Sequence, residues 1–257
     1  MLNLDKELKG KSALVTGSSR GIGAAMVKAL AMAGANVAVH SVGPSEAGEA
    51  VRKECASLGV KTCSLHGDLG EKDVPTQLLD ACAEALGAVD ILVLNASIQF
   101  RREWCDWHTE EAETMLRVNV RASAEMMTQV LPQMQKAGWG RVVTIGSVQQ
   151  NVPNPAMAVY AATKCAQLSM AKSFALQVAA DGVTINNLAP GVIQTDRNVE
   201  ALADESYRQK IAGLIPSRSF GIPEDCTGAL LMLCSEAGRY ITGADIAIDG
   251  GMGLGSH

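Results

Sequence analysis

The strongest constraint on the fold of this chain is the alternation of short aliphatic runs with longer stretches of helical periodicity, which begins at residue 12. The first five runs lack the polar alternation of a sheet with one wet face, so we expect strands buried on both sides. Apolar residues recur at helical spacing between the runs, for example at Ile22, Met26 and Leu30. The pattern predicts the α/β class, with a doubly wound, Rossmann-type parallel sheet of seven strands and helices on both faces. The predicted strands lie at residues 13–16, 37–40, 62–65, 91–94, 141–145, 184–187 and 245–248.

One domain accounts for the whole length. The chain has 257 residues, a size that α/β folds reach as a single unit, and no linker rich in Pro, Gly or Ser divides it. We therefore expect one domain over residues 1–257. Its rhythm is interrupted at about 190–223, where a polar, helix-like piece spans Asn198 to Gly213. Long insertions in compact domains are usually functional, so we assign this one to substrate recognition.

Charge and composition exclude several classes of protein. Lys and Arg number 22 against 27 Asp and Glu, and no block of five or more like charges occurs, so a nucleic-acid partner is not expected. The sequence shows neither a signal-peptide pattern nor a long apolar run, which predicts a cytoplasmic protein that does not span a membrane. The 7 cysteines are scattered without a Cys-x-x-Cys pair, so we expect reduced, mostly buried thiols and no metal site.

A glycine-rich loop follows the first predicted strand and opens the first helix. Glycines there allow the backbone to approach a pyrophosphate, and the helix N-terminus offers free N–H groups with a partial positive charge. The spacing Gly-x-x-x-Gly-x-Gly departs from the more familiar Gly-x-Gly-x-x-Gly. The position of the loop nevertheless predicts dinucleotide binding. The residues predicted to contact the dinucleotide are Gly17, Ser19, Arg20, Gly21, Ile22 and Gly23.

The end of the second strand indicates which dinucleotide is bound. An NAD site places a carboxylate there for the ribose hydroxyls, whereas an NADP site places a cation near the 2′-phosphate. The strand ends in His40 and Ser41, the nearest downstream acid is Glu46, and Arg20 stands in the glycine loop. We therefore predict NADP rather than NAD, with Arg20, His40 and Ser41 at the ribose.

Two further residues have the chemistry of an acid–base pair. Tyr160 and Lys164 lie four residues apart, so both project from one face of a helix. A phenol is a weak acid and base at neutral pH, but a nearby cation favours the phenolate. Ser147 ends the fifth strand, at the sheet edge where ligands bind, and its hydroxyl can donate to a substrate carbonyl oxygen.

With these motifs the chain resembles the short-chain dehydrogenase/reductase family from about Lys11 to Gly251. The match includes the glycine segment, Ser147, Tyr160 and Lys164. By this resemblance Asn119 is a fourth catalytic residue, positioning a water that relays protons through Lys164. The resemblance also implies that Tyr160 is the acid in reduction, that Lys164 holds the nicotinamide ribose and that Ser147 orients the carbonyl. It adds cofactor contacts at Asp68, Leu69, Asn95, Ala96, Ser97, Tyr160, Lys164, Pro190, Gly191, Ile193 and Thr195.

One segment departs from the family pattern. Leu94-Asn95-Ala96-Ser97 stands where the family has Asn-Asn-Ala-Gly. Leu94 lacks a polar group that would brace the sheet, and Ser97 lacks the backbone freedom of glycine. We expect this departure to affect the path of the cofactor loop and to leave the chemistry intact.

The resemblance is strongest to β-ketoacyl-acyl carrier protein reductases, which implies NADPH-dependent reduction of a ketone, a 3-oxoacyl thioester among the candidates. It also implies a homotetramer. Two alternatives stay open: an NAD(P)-dependent sugar, polyol or other secondary-alcohol dehydrogenase, and a catalytically silent NADP-binding sensor. The expected substrate-cleft residues mix apolar and amide groups without a basic cluster, which favours a neutral substrate portion. They are Gln99, Val148, Gln149, Val152, Met157, Val192 and Gln194. An acyl-carrier partner would need a basic patch outside the cleft, for which Arg101, Arg102 and Arg121 are candidates.

Overall fold

The computed structural model describes residues 7–196 and 203–255. Over these residues it contains a parallel sheet of seven strands in the order β3-β2-β1-β4-β5-β6-β7. This confirms the predicted α/β, doubly wound architecture. The strands are β1 (Ser12–Val15), β2 (Asn36–Ser41), β3 (Thr62–His66), β4 (Ile91–Leu94), β5 (Gly140–Ile145), β6 (Val183–Pro190) and β7 (Asp245–Ile248).

Helices cover both faces of the sheet. The α-helices of the described ranges are α1 (Gly21–Met32), α2 (Glu46–Ser57), α3 (Val74–Leu86), α4 (Thr109–Met115), α5 (Ala122–Ala137), α6 (Ala158–Val178), α7 (Glu205–Leu214) and α8 (Thr227–Cys234). A π-helical turn, Leu116–Arg121, joins α4 to α5. One apolar layer contains residues of α1, α2 and α8, and the opposite layer contains residues of α3, α5 and α6.

The central strand β1 shows why the first runs are uniformly apolar. Ala13 and Val15 pack into the layer of α1, whereas Leu14 packs into the layer of α3, and all three are fully buried. Alternate residues of a strand point to opposite faces, so a strand covered on both sides needs apolar residues throughout.

The third strand is an exception to the expectation of burial on both sides. Thr62, Cys63 and Ser64 are only partly buried and His66 is exposed. The reason is position, because β3 is the edge strand and pairs only with β2. One flank of the strand therefore faces outward, which tolerates polar side chains.

The strand order reverses between β1 and β4, and the crevice above their carboxyl ends is where doubly wound sheets bind ligands. The loops after β1, β2, β4, β5 and β6 all open at this edge. The segment after β6 is closed at its base by backbone hydrogen bonds from Gly221 N to Val192 O (3.1 Å) and from Gln194 N to Gly221 O (2.8 Å). Within it lies the exposed helix α7. The helix-like piece predicted from Asn198 lies partly outside the described residues.

The cysteines follow the sequence expectation in part. All seven are free thiols; Cys55, Cys82, Cys226 and Cys234 are buried, but Cys105 and Cys165 are exposed. In the described ranges we find no helix with the length and apolar character needed to span a membrane.

Candidate active site

A cavity of about 710 Å³ occupies the crevice at the carboxyl edge of the sheet. Every residue that the sequence predicted for the cofactor borders it, from Gly17 in the glycine loop to Thr195 after β6. Three of the four predicted catalytic residues, Ser147, Tyr160 and Lys164, border it as well. The fold therefore assembles residues that are far apart in the chain around a single crevice.

The glycine loop has the backbone needed to cradle an anion. Gly17 and Gly21 have φ angles of 63° and 57°, a region that side chains rarely adopt. Gly23 has no room for a side chain, since a Cβ there would lie 2.5 Å from Asn95 Nδ2. Helix α1 begins without a side-chain cap at Arg20, which leaves the N–H groups of its first turn available to a ligand. This loop fits the pyrophosphate of a dinucleotide.

Asn95 and Thr16 tie the loop after β4 to the glycine loop. Thr16 Oγ1 accepts hydrogen bonds from the backbone N–H groups of Asn95 and Ala96, both at 3.0 Å. Asn95 Nδ2 donates to Thr16 O (2.8 Å) and Gly17 O (3.0 Å). Asn95 thus supplies the polar brace that Leu94, buried in the apolar layer, lacks.

The serine that replaces the family glycine is accommodated without backbone strain. Among the non-glycine residues in the described ranges, only Asp73 and Arg218 have a positive φ. Ser97 therefore has an ordinary backbone conformation, and the expected disturbance of this loop does not take the form of a left-handed residue.

His40 has a different role from the one predicted. Its ring is almost fully buried; Nδ1 accepts the backbone N–H of Gly17 at 2.9 Å, and Nε2 lies 3.0 Å from Gly67 O, to which it donates in the neutral tautomer. Burial lowers the pKa of His40 below its ordinary value and so favours the neutral ring. Because both nitrogens are engaged within the protein, His40 supports the glycine loop and leaves no ring nitrogen for the ribose.

The ribose end of the cavity carries a cation and no carboxylate from β2. Arg20 is exposed on the glycine loop, and both Arg20 and Ser41 border the cavity. Ser41 Oγ donates to Gly43 O (2.8 Å) and lies 3.2 Å from His66 Nδ1. The charge pattern at this end suits a 2′-phosphate.

Tyr160 and Lys164 lie on one buried face of α6. The ammonium Nζ of Lys164 is 5.6 Å from the centre of the phenol ring. It also donates to Ile145 O at 2.7 Å and to Gln167 Oε1 at 2.9 Å. Ser147 follows β5, and its Oγ accepts the N–H of Gln149 at 3.2 Å. A phenol, an ammonium and a hydroxyl therefore line the same crevice, as acid–base chemistry at a carbonyl requires.

Asn119, the fourth predicted catalytic residue, does not border the cavity. It is fully buried in the π-helical turn, where Ala122 N donates to Arg117 O. Its side chain accepts the N–H of Ile98 and donates to Ile98 O, both at 2.9 Å, and Nδ2 also donates to Thr163 Oγ1 at 3.1 Å. Its amide therefore anchors the cofactor loop to α6.

A buried chain of hydrogen bonds that the sequence analysis missed connects Lys164 with the π-helical turn. Gln167 accepts from Lys164 and donates through Nε2 to Ser123 Oγ at 2.8 Å, and Ser123 Oγ donates to Asn119 O at 2.9 Å. A signal was present in the sequence, since Tyr160, Lys164 and Gln167 recur at helical spacing on one face. Polar groups on a buried face must find partners there.

The substrate half of the cavity differs from the expected cleft. Gln99, Val148, Gln149, Met157 and Val192 border it as predicted, whereas Val152 and Gln194 do not. Several further residues that the sequence analysis did not assign to the cleft also border the cavity, among them Arg101, Asn154, Tyr207, Ile211 and Met252.

The arginines proposed for a basic patch have different surroundings in the structure. Arg101 borders the cavity, Arg102 pairs with Glu111 and Asp106, and Arg121 donates to Gly70 O at 2.8 Å. Arg101 therefore borders the cavity as a single guanidinium, whereas the sequence analysis had assigned it to a basic patch outside the cleft.

Comparison with known proteins agrees with this geometry. Residues 17–253 match the family model described as enoyl-(acyl carrier protein) reductase. The chain is 34% identical over 242 residues to 3-oxoacyl-(acyl-carrier-protein) reductase FabG of Staphylococcus aureus, covering 94% of this chain and 98% of the relative. It is 32% identical over 251 residues to an L-rhamnose 1-dehydrogenase (NAD(P)(+)) of Sphingomonas, covering 96% and 98%.

A solved structure is similar over nearly its full length. The crystal structure of a 3-oxoacyl (acyl-carrier-protein) reductase from Agrobacterium tumefaciens C58 with NADP bound superposes with a TM-score of 0.92 at 40% identity, covering 97% of each chain. The fold and the cavity define a dinucleotide-binding oxidoreductase. The chain belongs to the short-chain dehydrogenase/reductase family.

Proposed function

We propose that this protein is an NADPH-dependent reductase that converts a ketone to a secondary alcohol, with Tyr160 as the general acid. The observation that carries the proposal is the convergence of Ser147, Tyr160 and Lys164 on the cavity that the glycine loop also borders. A pure nucleotide sensor would not need a phenol beside a buried ammonium at that place.

The coenzyme preference rests on the ribose end of the cavity. Arg20 supplies a guanidinium and the end of β2 supplies no carboxylate, a combination that favours NADP over NAD. The NADP in the Agrobacterium relative supports the same choice. When bound, the reduced coenzyme supplies the hydride for the reaction.

The protein's own groups handle the proton and the geometry. The Tyr160 hydroxyl donates its proton to the carbonyl oxygen, and the Ser147 hydroxyl orients that oxygen by a hydrogen bond. Lys164 stabilises the phenolate that remains, and Ile145 O and Gln167 Oε1 hold its ammonium in place. Asn119 fixes the backbone at Ile98.

The variant Tyr160→Phe tests this function. It removes only the hydroxyl, so we expect NADPH-dependent turnover to fall by roughly three or more orders of magnitude, with NADPH affinity unchanged by fluorescence titration. Tyr240→Phe is the matched control, because Tyr240 is almost fully exposed and does not border the cavity. Near-normal turnover in Tyr160→Phe would exclude the proposed mechanism.

A 3-oxoacyl thioester is the first candidate substrate, supported by the Staphylococcus and Agrobacterium relatives. Oxidation or reduction at a sugar or polyol is the second, supported by the Sphingomonas relative. A panel of 3-oxoacyl thioesters, simple ketones and sugars, assayed in both directions, separates the two. We also propose a homotetramer, to be measured by light scattering on the purified protein.

A further inference from the structure

The wall of the cavity beside Tyr160 contains an arginine without a charge partner within residues 7–196 and 203–255. Arg101 borders the cavity and forms no ion pair with any described residue. Its neighbour Arg102 shows the opposite arrangement: it donates to both carboxylate oxygens of Glu111, at 2.9 and 2.7 Å, and to Asp106 at 3.0 Å. Two consecutive guanidinium groups thus have different environments, and only that of Arg101 is open to a ligand.

The chain on each side of Arg101 is fixed next to the catalytic tyrosine. Phe100 packs against the apolar cluster that contains Met157 and Tyr160. Arg102 N donates to Ala156 O at 2.9 Å, in the turn that precedes α6. The backbone of Arg101 is therefore held at the substrate end of the cavity, within the loop that follows β4.

The other cavity cations have assigned positions or partners. Arg20 lies in the glycine loop, at the nucleotide end. Arg117 donates to Thr114 Oγ1 at 2.9 Å and lies 3.6 Å from a carboxylate oxygen of Glu113. Arg101 is the guanidinium of the described cavity wall that is left for the substrate.

A second polar group that borders the cavity is an acceptor without a donor among the described residues. Gln149 Oε1 is buried and has no hydrogen-bond partner among the described residues, and Gln149 borders the cavity next to Ser147. A buried carbonyl oxygen without a hydrogen bond is unfavourable, and a hydrogen bond from a substrate hydroxyl or N–H group would remove that cost. This wall suits a polar substrate better than a long alkyl chain.

We infer that the natural substrate carries a carboxylate, which Arg101 binds while the carbonyl lies at Tyr160. The inference rests on the proposed ketone-reductase function and names its substrate class, an oxo acid or the corresponding hydroxy acid. A guanidinium binds a carboxylate through two parallel hydrogen bonds, which gives orientation as well as affinity. An acyl-carrier thioester also has an anionic group, the phosphate of its pantetheine arm, but that phosphate is many bonds from the thioester carbonyl. Arg101, in contrast, is one residue from the cluster around Tyr160, where the carbonyl lies.

The test compares substrates that differ in charge. Acetoacetate is paired with methyl acetoacetate, and a ketohexonate is paired with a neutral ketohexose. We expect kcat/KM of the wild type to favour each acid by about tenfold or more, as a charged hydrogen bond predicts. Arg101→Gln should lose this preference and keep its turnover of the neutral partners and its NADPH affinity. Arg102→Gln, the matched control on the same loop, should keep the preference.

Equal turnover of acid and neutral partners by the wild type, or an unchanged preference in Arg101→Gln, would overturn the inference. Loss confined to acetoacetyl-coenzyme A, relative to a truncated neutral thioester, would assign Arg101 to a phosphate and also overturn it. Calorimetric titration of the same acids into the NADPH-bound Tyr160→Phe variant gives a readout independent of turnover. Acids that bind there through Arg101 support the inference, whereas a wild type that binds NADPH but reduces no ketone contradicts only the proposed function.

Discussion

The Nδ1 atom of His40 accepts the hydrogen bond that the backbone N–H of Gly17 donates at 2.9 Å, so the second strand supports the glycine loop from below. The other ring nitrogen lies 3.0 Å from Gly67 O, which extends this support to the loop after β3. Only the neutral ring can accept from Gly17 while it donates to Gly67. The conformation of the glycine loop is thereby coupled to the protonation state of one buried imidazole.

We predict a loss of stability at acidic pH that depends on His40. Burial lowers its pKa from the ordinary 6.5, so below about pH 6.5 the unfolded chain takes up a proton that the folded chain resists. The free energy of unfolding should therefore decline as pH falls from 6.5 toward the lowered pKa, by up to about 1.4 kcal/mol per pH unit. Urea titrations from pH 5 to 8 should show that the free energy of unfolding of His40→Asn declines less with falling pH than that of the wild type. The control His108→Gln, at an exposed histidine, should show the same decline as the wild type.

Replacement of Arg20 should weaken the preference for NADPH. A charged hydrogen bond to the 2′-phosphate is worth about 1.5–3 kcal/mol, so kcat/KM for NADPH should fall by about ten- to a hundredfold in Arg20→Ala. The value for NADH should stay the same, because NADH lacks that phosphate. Steady-state kinetics with both coenzymes measure the ratio, and the exposed Arg239→Ala serves as control. An equal loss with both coenzymes would place Arg20 elsewhere in the mechanism.

Gln167 should act as a positioning residue for Lys164. In Gln167→Met the ammonium loses an acceptor at 2.9 Å and Ser123 loses a donor at 2.8 Å. A hydrogen bond to the charged form of Lys164 stabilises the ammonium. Loss of this hydrogen bond should therefore let Lys164 lose its proton more easily and move the alkaline limb of the kcat profile to lower pH. Gln167→Glu keeps an acceptor for Lys164 and adds a negative charge that stabilises the ammonium, so it should move the alkaline limb in the opposite direction, to higher pH. A variant that lowers only the melting temperature, with an unchanged pH profile, would reduce Gln167 to a structural role.

Two helical glycines should respond oppositely to alanine. At Gly23 a Cβ would meet Gly17 O and Asn95 Nδ2, the latter at 2.5 Å, whereas at Gly228 in α8 it would meet nothing within 4 Å. Gly23→Ala should therefore destabilise the protein by about 1–3 kcal/mol and weaken NADPH binding. Gly228→Ala should stabilise it by about 0.5–1 kcal/mol through helix propensity. Chemical denaturation and coenzyme titration check both, and a neutral Gly23→Ala would show that the loop can relax.

Local sequence patterns predicted the fold well because the buried strands carry an unbroken apolar signal. The predicted bounds of β4 and β7 match the structure, and β6 extends further because its buried polar residues lack that signal. The edge position of β3 could not be predicted, since pairing partners are long-range contacts. The sequence still hinted at it, because Thr62 and Ser64 are polar.

The residues around the cavity were predictable by type more often than by role. Tyr160, Lys164 and Ser147 carry their chemistry in their side chains, so a motif was enough to select them. His40 and Asn119 were selected too, but their partners, Gly17 and Ile98, are backbone groups that no motif shows. Arg101 was assigned to an outer basic patch together with Arg102 and Arg121, whereas in the structure Arg101 borders the cavity and Arg102 pairs with Glu111 and Asp106.

The π-helical turn between α4 and α5 has a consequence for how this surface can vary. The extra residue in the turn rotates the side-chain directions of α5 by about 100° relative to those of α4. The two helices therefore have separate patterns of buried and exposed positions. Met115 at the end of α4 contacts the cluster around Tyr160, while Met126 and Met127 of α5 pack under the sheet. Substitutions in α4, next to the cluster around Tyr160, can therefore change the substrate wall without changing the packing of α5 against the sheet.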